Sequence, residues 1–302
     1  MSHGADSLKS IFFALGANLA IAVSKLAAAF FTGSGAMMAE SIHSFADCGN
    51  QLLLLIGIRK AKHPPSPDYP LGFGKAIYFW SFIVALILFS MGGLYSVYEG
   101  IHKLQHPEPV TSLLVAVSVL IFSIAAESVS LWGCMREINK VRGTRSVFRW
   151  FKETRQSDLL VVLGEDMAAL LGLTFALAAV SLTWITGNPM WDAFGSIGIG
   201  ILLVIVAFFV GIKVKDLLIG QGVEPQIKEA MELFLEQRSE IDTLYSLLTM
   251  QMGADVMVAV KALMCEKESA EKLITDINTC EAAFRKSFPE TMWLFFEPDF
   301  HD

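Results

Sequence analysis

Four polar residues recur at helical spacing inside one apolar segment of the chain. Glu40, His43, Asp47 and Asn50 follow one another at offsets of three, four and three residues. At about 100° per residue, these offsets place all four on one stripe of a helix. His43 and Asp47 can therefore both point at one ion. An imidazole with a carboxylate suits zinc, whereas manganese or magnesium favours all-oxygen ligands, so the stripe predicts a site for a divalent metal ion.

A second polar group lies farther along the chain, in an equally apolar segment. It contains Asp158 and the adjacent acids Glu165 and Asp166. Two neighbouring carboxylates repel each other if both are ionised and unpaired, and a bound cation would relieve that repulsion. Small residues nearby allow another helix to approach closely in lipid: Gly164, Ala168, Ala169 and Gly172. The sequence therefore predicts a metal site between this segment and the segment of His43.

These charges stand out because the chain as a whole is apolar. Of its 302 residues, 54% are hydrophobic and 18% are charged, and the mean hydropathy is +0.53. A helix needs about 20 apolar residues to cross a bilayer, and we number six such segments spans 1 to 6: residues 11–31, 36–58, 77–98, 110–135, 158–185 and 192–212. Ionisable groups at the centre of a bilayer cost about 3 kcal/mol or more each, so they indicate an ion or substrate path.

Lysine and arginine are unevenly distributed between the connections. Four bases follow span 2 and seven follow span 4: Arg59, Lys60, Lys62 and Lys75, and then the bases from Arg136 to Arg155. The alternate connections contain only Lys103. This asymmetry predicts a multi-pass protein with both termini in the cytosol. The N-terminus contains one base, Lys9, and does not resemble a signal peptide, so we expect span 1 to remain as a helix. Because the N-terminus is short and no connection is long and rich in histidine, we expect a bacterial inner membrane.

The composition changes after span 6. From Asp216 onward there are 17 acids and 7 bases, which predicts a transmembrane transport domain over residues 1–215 and a cytosolic domain over residues 216–302. Helical and alternating patterns predict an α-β-β-α-β order, a ferredoxin-like α+β fold: helix 225–237, strands 244–251 and 256–264, helix 269–287 and strand 292–296. A domain this small is expected to form a homodimer. Its acidity argues against nucleic acid as a partner.

Several of these segments together resemble the cation diffusion facilitator family of metal exporters. Residues 32–50 look like the helix 2 signature of that family, and residues 69–75 look like its entry to helix 3. Asp166 with Gly172 in span 5 and residues 297–299 at the end of the last strand agree with it. The resemblance implies six transmembrane helices, a cytosolic C-terminal domain and proton antiport by alternating access.

The family's transport site pairs two ligands four residues apart in helix 2 with two in helix 5. His43, Asp47 and Asp166 match three of these positions, but the position four before Asp166 is Val162. The resemblance thus implies that Glu165, Asn50 or a water completes the ligand set. Three protein ligands with an exchangeable fourth position make a site that can release its ion.

Two further sites of the family are degraded in this chain. Where relatives have histidines between helices 2 and 3, this chain has Tyr69 and Phe73, leaving Asp68 and His63 nearby. We expect no metal site in that connection. The C-terminal domain keeps only Glu297, Asp299 and His301, so we expect a dimerisation domain with at most weak binding of a surface ion.

Other interpretations of the polar groups stay open. Lys25 and Glu127 are expected to form interhelical ion pairs, since a buried lysine needs a counter-charge. Glu40 lies near the end of span 2, where water could solvate it. The four scattered cysteines are expected to be packing residues because they contain no CxxC pair: Cys48, Cys134, Cys265 and Cys280.

The expected function is export of a divalent cation, most simply zinc, in exchange for protons. His43, Asp47 and Asp166 must lose protons to bind a metal, so metal binding and proton release are linked. Alternatives are a manganese, iron or cobalt exporter, a different ion carrier, a membrane metalloenzyme, or a metal sensor that does not transport. We expect neither enzymatic activity nor a cofactor, because no nucleophile or oxyanion site accompanies the polar stripe.

Overall fold

A computed structural model of the chain describes residues 3–107, 112–265 and 269–301. Glu108 and the predicted start of span 4 at Val110 lie outside these residues, as does Asp302. The described residues fall into two compact units. One unit contains most of the long helices, and the other contains the C-terminal residues together with two connections.

The long helices correspond to the six predicted spans, with bounds His3–Thr32, Gly35–Ala61, Ala76–Gln105, Leu113–Val141, Ser157–Thr186 and Met190–Ile219. Spans 3 to 6 are each long and apolar enough to cross a membrane. The described apolar part of span 1 is Asn18–Thr32, and span 2 contains the polar stripe. A helical membrane domain is thereby confirmed, while the crossing of spans 1 and 2 stays a prediction. A short helix, Val147–Glu153, precedes span 5 and was not predicted.

Span 3 contains a break in its helical register that the sequence analysis missed. Helix Ala76–Ile87 continues through a π-helical segment, Leu88–Leu94, into helix Tyr95–Gln105. Glycines there bring spans 3 and 6 together: a Cβ on Gly93 would lie 2.6 Å from Val204 Cγ2, and one on Gly200 would lie 2.6 Å from Val97 Cγ2. Small residues permit this kind of backbone approach in lipid.

The connection between spans 1 and 2 is held by a carboxylate from span 6. Gly33 ends span 1 with a φ of 67°. Asp192 accepts hydrogen bonds from Ser34 Oγ at 2.5 Å, from the Gly35 N–H at 2.6 Å and from the Ala36 N–H at 3.4 Å. Those N–H groups belong to the first turn of span 2, where a helix has unsatisfied donors and favours negative charge. Asp192 therefore fixes the N-terminus of the helix that carries the polar stripe.

The C-terminal part of the second unit confirms the predicted α-β-β-α-β order. It consists of α1 (Pro225–Glu236), β1 (Ile241–Met252), β2 (Asp255–Met264), α2 (Ala270–Ser287) and β3 (Thr291–Pro298). The sheet order is β1-β2-β3, with β1 antiparallel and β3 parallel to β2. The core contains Phe284, Met231 and Cys280. Burial raises the pKa of Cys280 to about 11, as expected of a packing cysteine, whereas Cys265 is exposed and does not pack.

Two connections belong to the same compact unit as this domain, residues 58–79 and 148–156. Tyr78 Oη accepts a hydrogen bond of 3.0 Å from the N–H of Gly253, the residue that turns β1 into β2. Arg155 donates to the carbonyls of Gly222 and Val223, at 2.6 Å and 3.4 Å. The predicted boundary at residue 215 instead places these two connections in the transmembrane domain. That boundary stays a prediction.

The turn at Gly253 leads to the first testable prediction. Gly253 has a φ of 73°, and a Cβ on it would lie 2.6 Å from the carbonyl oxygen of Gly74. Gly143 has a φ of 58° but nothing within 4 Å of its added Cβ. Alanine costs about 1 kcal/mol at either site for the left-handed backbone, and steric overlap adds about 1–3 kcal/mol at Gly253 alone. We expect Gly253→Ala to accelerate tryptic cleavage at Lys62 and Lys75, and Gly143→Ala to leave that cleavage unchanged. Equal cleavage in the two variants would contradict the close approach.

Candidate metal site

Carboxylates from three spans line one partly open cavity in the membrane unit. Asp47 of span 2, Glu165 and Asp166 of span 5 and Glu127 of span 4 surround a volume of about 60 Å³. The remaining lining includes Ser44, Gln51, Ser130, Ala169 and Val162. A water needs roughly 10–15 Å³ of such space, so the cavity has room for an ion with water ligands. Val162 lines the cavity, so an apolar side chain occupies the place that the resemblance assigns to a fourth ligand.

His43 lies beside this cavity and is completely buried. Its Nδ1 is 3.5 Å from Asp47 Oδ1, as expected for residues four apart on a helix. Among the described residues, neither ring nitrogen of His43 nor Oδ1 of Asp47 has a hydrogen-bond partner. Buried polar atoms are rarely left without partners unless they bind water or an ion. These orphaned atoms suit the donor set of a zinc ion.

Glu165 and Asp166 are held by neighbours on two other spans. Asn50 Nδ2 donates to Glu165 Oε1 at 2.5 Å, which joins spans 2 and 5. Ser130 Oγ donates to Asp166 Oδ1 at 3.2 Å, and Asp166 Oδ2 has no partner among the described residues. In this arrangement the Asn50 amide orients Glu165. Glu165 and Asp166 both keep access to the cavity.

The predicted ligands are neighbours but do not yet form a coordination shell. Within the described ranges, no three His, Cys, Asp or Glu side chains are close enough to hold one ion as they stand. His43 and Asp47 are paired, and Asp47 shares the cavity with Asp166 and Glu165. Side-chain rotation would be needed to complete the set that the sequence predicts.

Glu40 is not solvated, which corrects the expectation from its position in span 2. Glu40 and Lys25 are both completely buried, and Lys25 Nζ lies 3.4 Å from Glu40 Oε2. Lys25 also donates to Ser44 Oγ at 2.7 Å, and Ser44 lines the cavity. Gly172 makes room for this pair, because a Cβ there would lie 2.5 Å from Glu40 Oε1. Lys25 therefore forms a buried ion pair, as expected. It is linked to the cavity through its hydrogen bond to Ser44.

The π-helical segment of span 3 also reaches the site. A Cβ on Gly92 would lie 3.8 Å from Nδ1 of His43, so the segment passes next to the imidazole. π-Helical turns within α-helices are frequent at functional sites. The π-helical segment was not predicted from the sequence, although the adjacent Gly92 and Gly93 indicate weakened helix propensity.

The two degraded sites contain other interactions. The rings of Tyr69 and Phe73 lie 4.4 Å apart, and His63 packs edge-on against Phe73, so this connection forms an aromatic cluster. Asp299 Oδ2 lies 3.1 Å from Lys261 Nζ. The hydrogen bond from Lys261 and those from the N–H groups of Phe300 and His301 lower the pKa of Asp299. Its carboxylate is engaged by the protein itself, which leaves little capacity for a surface ion.

Helices that carry buried carboxylates around a cavity, followed by a small α+β domain, form the architecture of a membrane cation transporter. Residues 11–219, more than half of the chain, match the family model described as the cation efflux transmembrane domain. The chain therefore belongs to the cation efflux family, the cation diffusion facilitators, which is a family of transporters.

Three relatives illustrate this membership. The chain is 36% identical to the mitochondrial proton-coupled zinc antiporter SLC30A9 of Xenopus laevis, over 76% of this chain and 41% of that protein. It is 30% identical to metal tolerance protein C4 of Arabidopsis thaliana, over 79% of this chain and 53% of that protein. It is 26% identical to the magnetosome protein MamB of Magnetospira sp. (strain QH-2), over 65% and 62%. The chain thus spans about half, or less, of the length of the first two relatives.

The Lys25–Glu40 pair leads to the second prediction. Removing one partner of a buried ion pair leaves an uncompensated charge and costs about 3–5 kcal/mol, whereas removing both can be nearly neutral. We expect Lys25→Met to lower the free energy of unfolding by that amount, and Lys25→Met with Glu40→Gln to recover most of it. Unfolding in detergent measures the cycle. The exposed pair Lys140–Glu137 is the control, since Lys140→Met should change stability by less than about 0.5 kcal/mol. A double variant as unstable as Lys25→Met would contradict the pairing.

Proposed function

We propose that this chain exports a divalent metal ion, zinc in preference, in exchange for protons. The observation that carries the proposal is the cavity between the helices that Asp47, Glu165 and Asp166 line. Five carboxyl groups lie in or beside this region, with Lys25 as the neighbouring lysine among the described residues. When these carboxylates are ionised, a bound divalent cation would supply the positive charge that balances them.

The proposed ligands are His43, Asp47 and Asp166, with Glu165 or a water in the fourth position. Asn50 acts as the positioning residue that holds Glu165 between spans 2 and 5. Among the described residues the ring nitrogens of His43 have no hydrogen-bond partner, which supports its assignment as a ligand. One imidazole among oxygen ligands favours zinc over magnesium or calcium. The Xenopus relative is named as a zinc antiporter, which supports the same metal.

Proton exchange follows from the chemistry of these ligands. Each must be deprotonated to bind the ion, so an arriving ion displaces protons and arriving protons displace the ion. Alternating access would expose the site first to one side and then to the other. In the empty site, the fixed cation of Lys25 stabilises the carboxylate of Glu40. It also lies close enough to the cavity to disfavour tight retention of the metal.

We propose that both termini face the cytosol, since lysine and arginine are concentrated in the connections after spans 2 and 4, and such basic connections favour the cytosolic side. The bacterial inner membrane stays a prediction from the sequence, whereas the Xenopus relative is named as a mitochondrial protein.

We further propose a homodimer that forms through the C-terminal domain. Leu248, Ala259 and Phe295 are in register across the three strands. Leu248 and Phe295 are 69% and 55% exposed. These three residues form an apolar row across one face of the sheet, and a second copy of the chain could cover it.

The third prediction concerns transport. Protein in liposomes with an imposed pH gradient is supplied with zinc, manganese, iron or cobalt, and metal flux is recorded together with a pH-sensitive dye in the lumen. We expect zinc flux in step with the dye signal. Asp47→Asn and Asp166→Asn should each reduce that flux at least about tenfold. Losing even a group that supports a metal ligand lowers metal affinity or activity by about 10–100-fold.

Asp158→Asn is the matched control, because Asp158 begins the same helix but does not line the cavity. Its flux should stay within about twofold of the unaltered protein. Flux of manganese, iron or cobalt in place of zinc would give the alternative substrate. Metal binding without flux would indicate a sensor, and flux without a dye response would rule out proton exchange.

A further inference from the structure

A second cavity opens at the end of the membrane unit where span 1 meets span 2. It has a volume of about 320 Å³ and is walled by the ends of spans 1, 2 and 3. Span 3 contributes Glu99, His102, Lys103 and His106 to its lining. Three of these four side chains are metal-ligating types, and none of them belongs to the site between spans 2 and 5.

The two histidines are placed as a pair. Their rings have centroids 5.0 Å apart and an interplanar angle of 32°. His106 follows the last helical residue of span 3, and its N–H donates to the carbonyl of His102 at 2.9 Å. This backbone bond holds His106 against the last turn of the helix, where its ring contacts that of His102. Glu99 lies one turn earlier on the same face, at an offset of three from His102.

We propose that His102 and His106 bind a divalent transition-metal ion at this cavity, with Glu99 as an auxiliary ligand. Two imidazoles whose ring centroids lie 5.0 Å apart can turn their nitrogens toward one ion between them. Zinc, cobalt, nickel and copper favour such nitrogen ligands, whereas magnesium and calcium do not. No three ligand side chains converge on one ion in the part of the chain described here, so waters would occupy the remaining positions unless Glu99 rotates.

The surroundings indicate a weak, exchangeable site. Both histidines are exposed, so an ion can enter from water. Lys103 donates to the carbonyl of Gly33 across the same cavity, and its positive charge opposes tight retention of a cation. In the proposed topology this end of the bundle faces away from the cytosol, so the pair would take up the ion that leaves the inner site. That role rests on the proposed function, but the binding itself does not.

The fourth prediction tests this site on the full-length protein in detergent. The inner site is disabled by Asp47→Asn with Asp166→Asn, and zinc binding is measured by calorimetry. We expect about one residual ion per chain. Adding His102→Gln and His106→Gln should weaken that binding at least about tenfold. Co²⁺ in place of zinc should give visible absorption that the same two changes abolish.

The control adds His63→Gln to the inner-site variant, because His63 packs against Phe73 in a connection with no expected metal site. Its residual binding should match that of the inner-site variant. Residual binding that survives the loss of both His102 and His106, or an inner-site variant that binds no ion, would overturn the proposal. Transport by the unaltered protein would leave the proposed function intact in either case. Residual binding lost with the two histidines would support the second site even in a protein that does not transport.

Discussion

The membrane unit depends on a surplus of buried carboxyl groups. Charges are costly inside a bilayer, so each acid must be paired, hydrogen-bonded, protonated or bound to a cation. Lys25 pairs with Glu40, Asn50 donates to Glu165, and Ser130 donates to Asp166. Asp47 is left facing the cavity, and the ring nitrogens of His43 beside it have no hydrogen-bond partner within the described part of the chain. A bound cation is therefore needed at this cavity, where the described residues do not supply enough partners for the acids.

The surrounding helices serve this arrangement by close packing. Gly172 admits the Glu40 side chain, and Gly93 and Gly200 bring spans 3 and 6 into backbone contact. Asp192 fixes the start of span 2 by accepting hydrogen bonds from its first turn. Van der Waals packing and interhelical hydrogen bonds drive helix association in lipid, so these small residues and the buried polar groups together decide where span 2 presents its stripe.

Local periodicity was enough to predict much of this structure. The offsets between Glu40, His43 and Asp47 indicate one helix face directly, and the alternating pattern near residue 257 indicates a strand. The α-β-β-α-β order of the C-terminal domain followed from such patterns alone. The identity of the ligands within the stripe stays a prediction, because spacing along one helix does not reveal which side chains of another helix face it.

The missed features depend on contacts between residues distant in sequence. Asp192 lies more than 150 residues from the turn that it caps. Lys25 pairs with Glu40 only because spans 1 and 2 pack against each other. The π-helical segment is a response to packing around Gly92 and Gly93 that helix propensity alone does not specify. The grouping of two basic connections with the C-terminal domain likewise depends on long-range hydrogen bonds, such as that between Tyr78 and Gly253.

X-ray absorption at the zinc edge tests the central claim most directly, that an ion binds between spans 2 and 5. The protein carries His102→Gln and His106→Gln, so that the inner site supplies the signal. We expect nitrogen and oxygen ligands at about 2.0–2.1 Å, including one imidazole, and loss of this shell in Asp47→Asn. Sulfur at about 2.3 Å, from Cys48 for example, or a spectrum unchanged by Asp47→Asn, would contradict it.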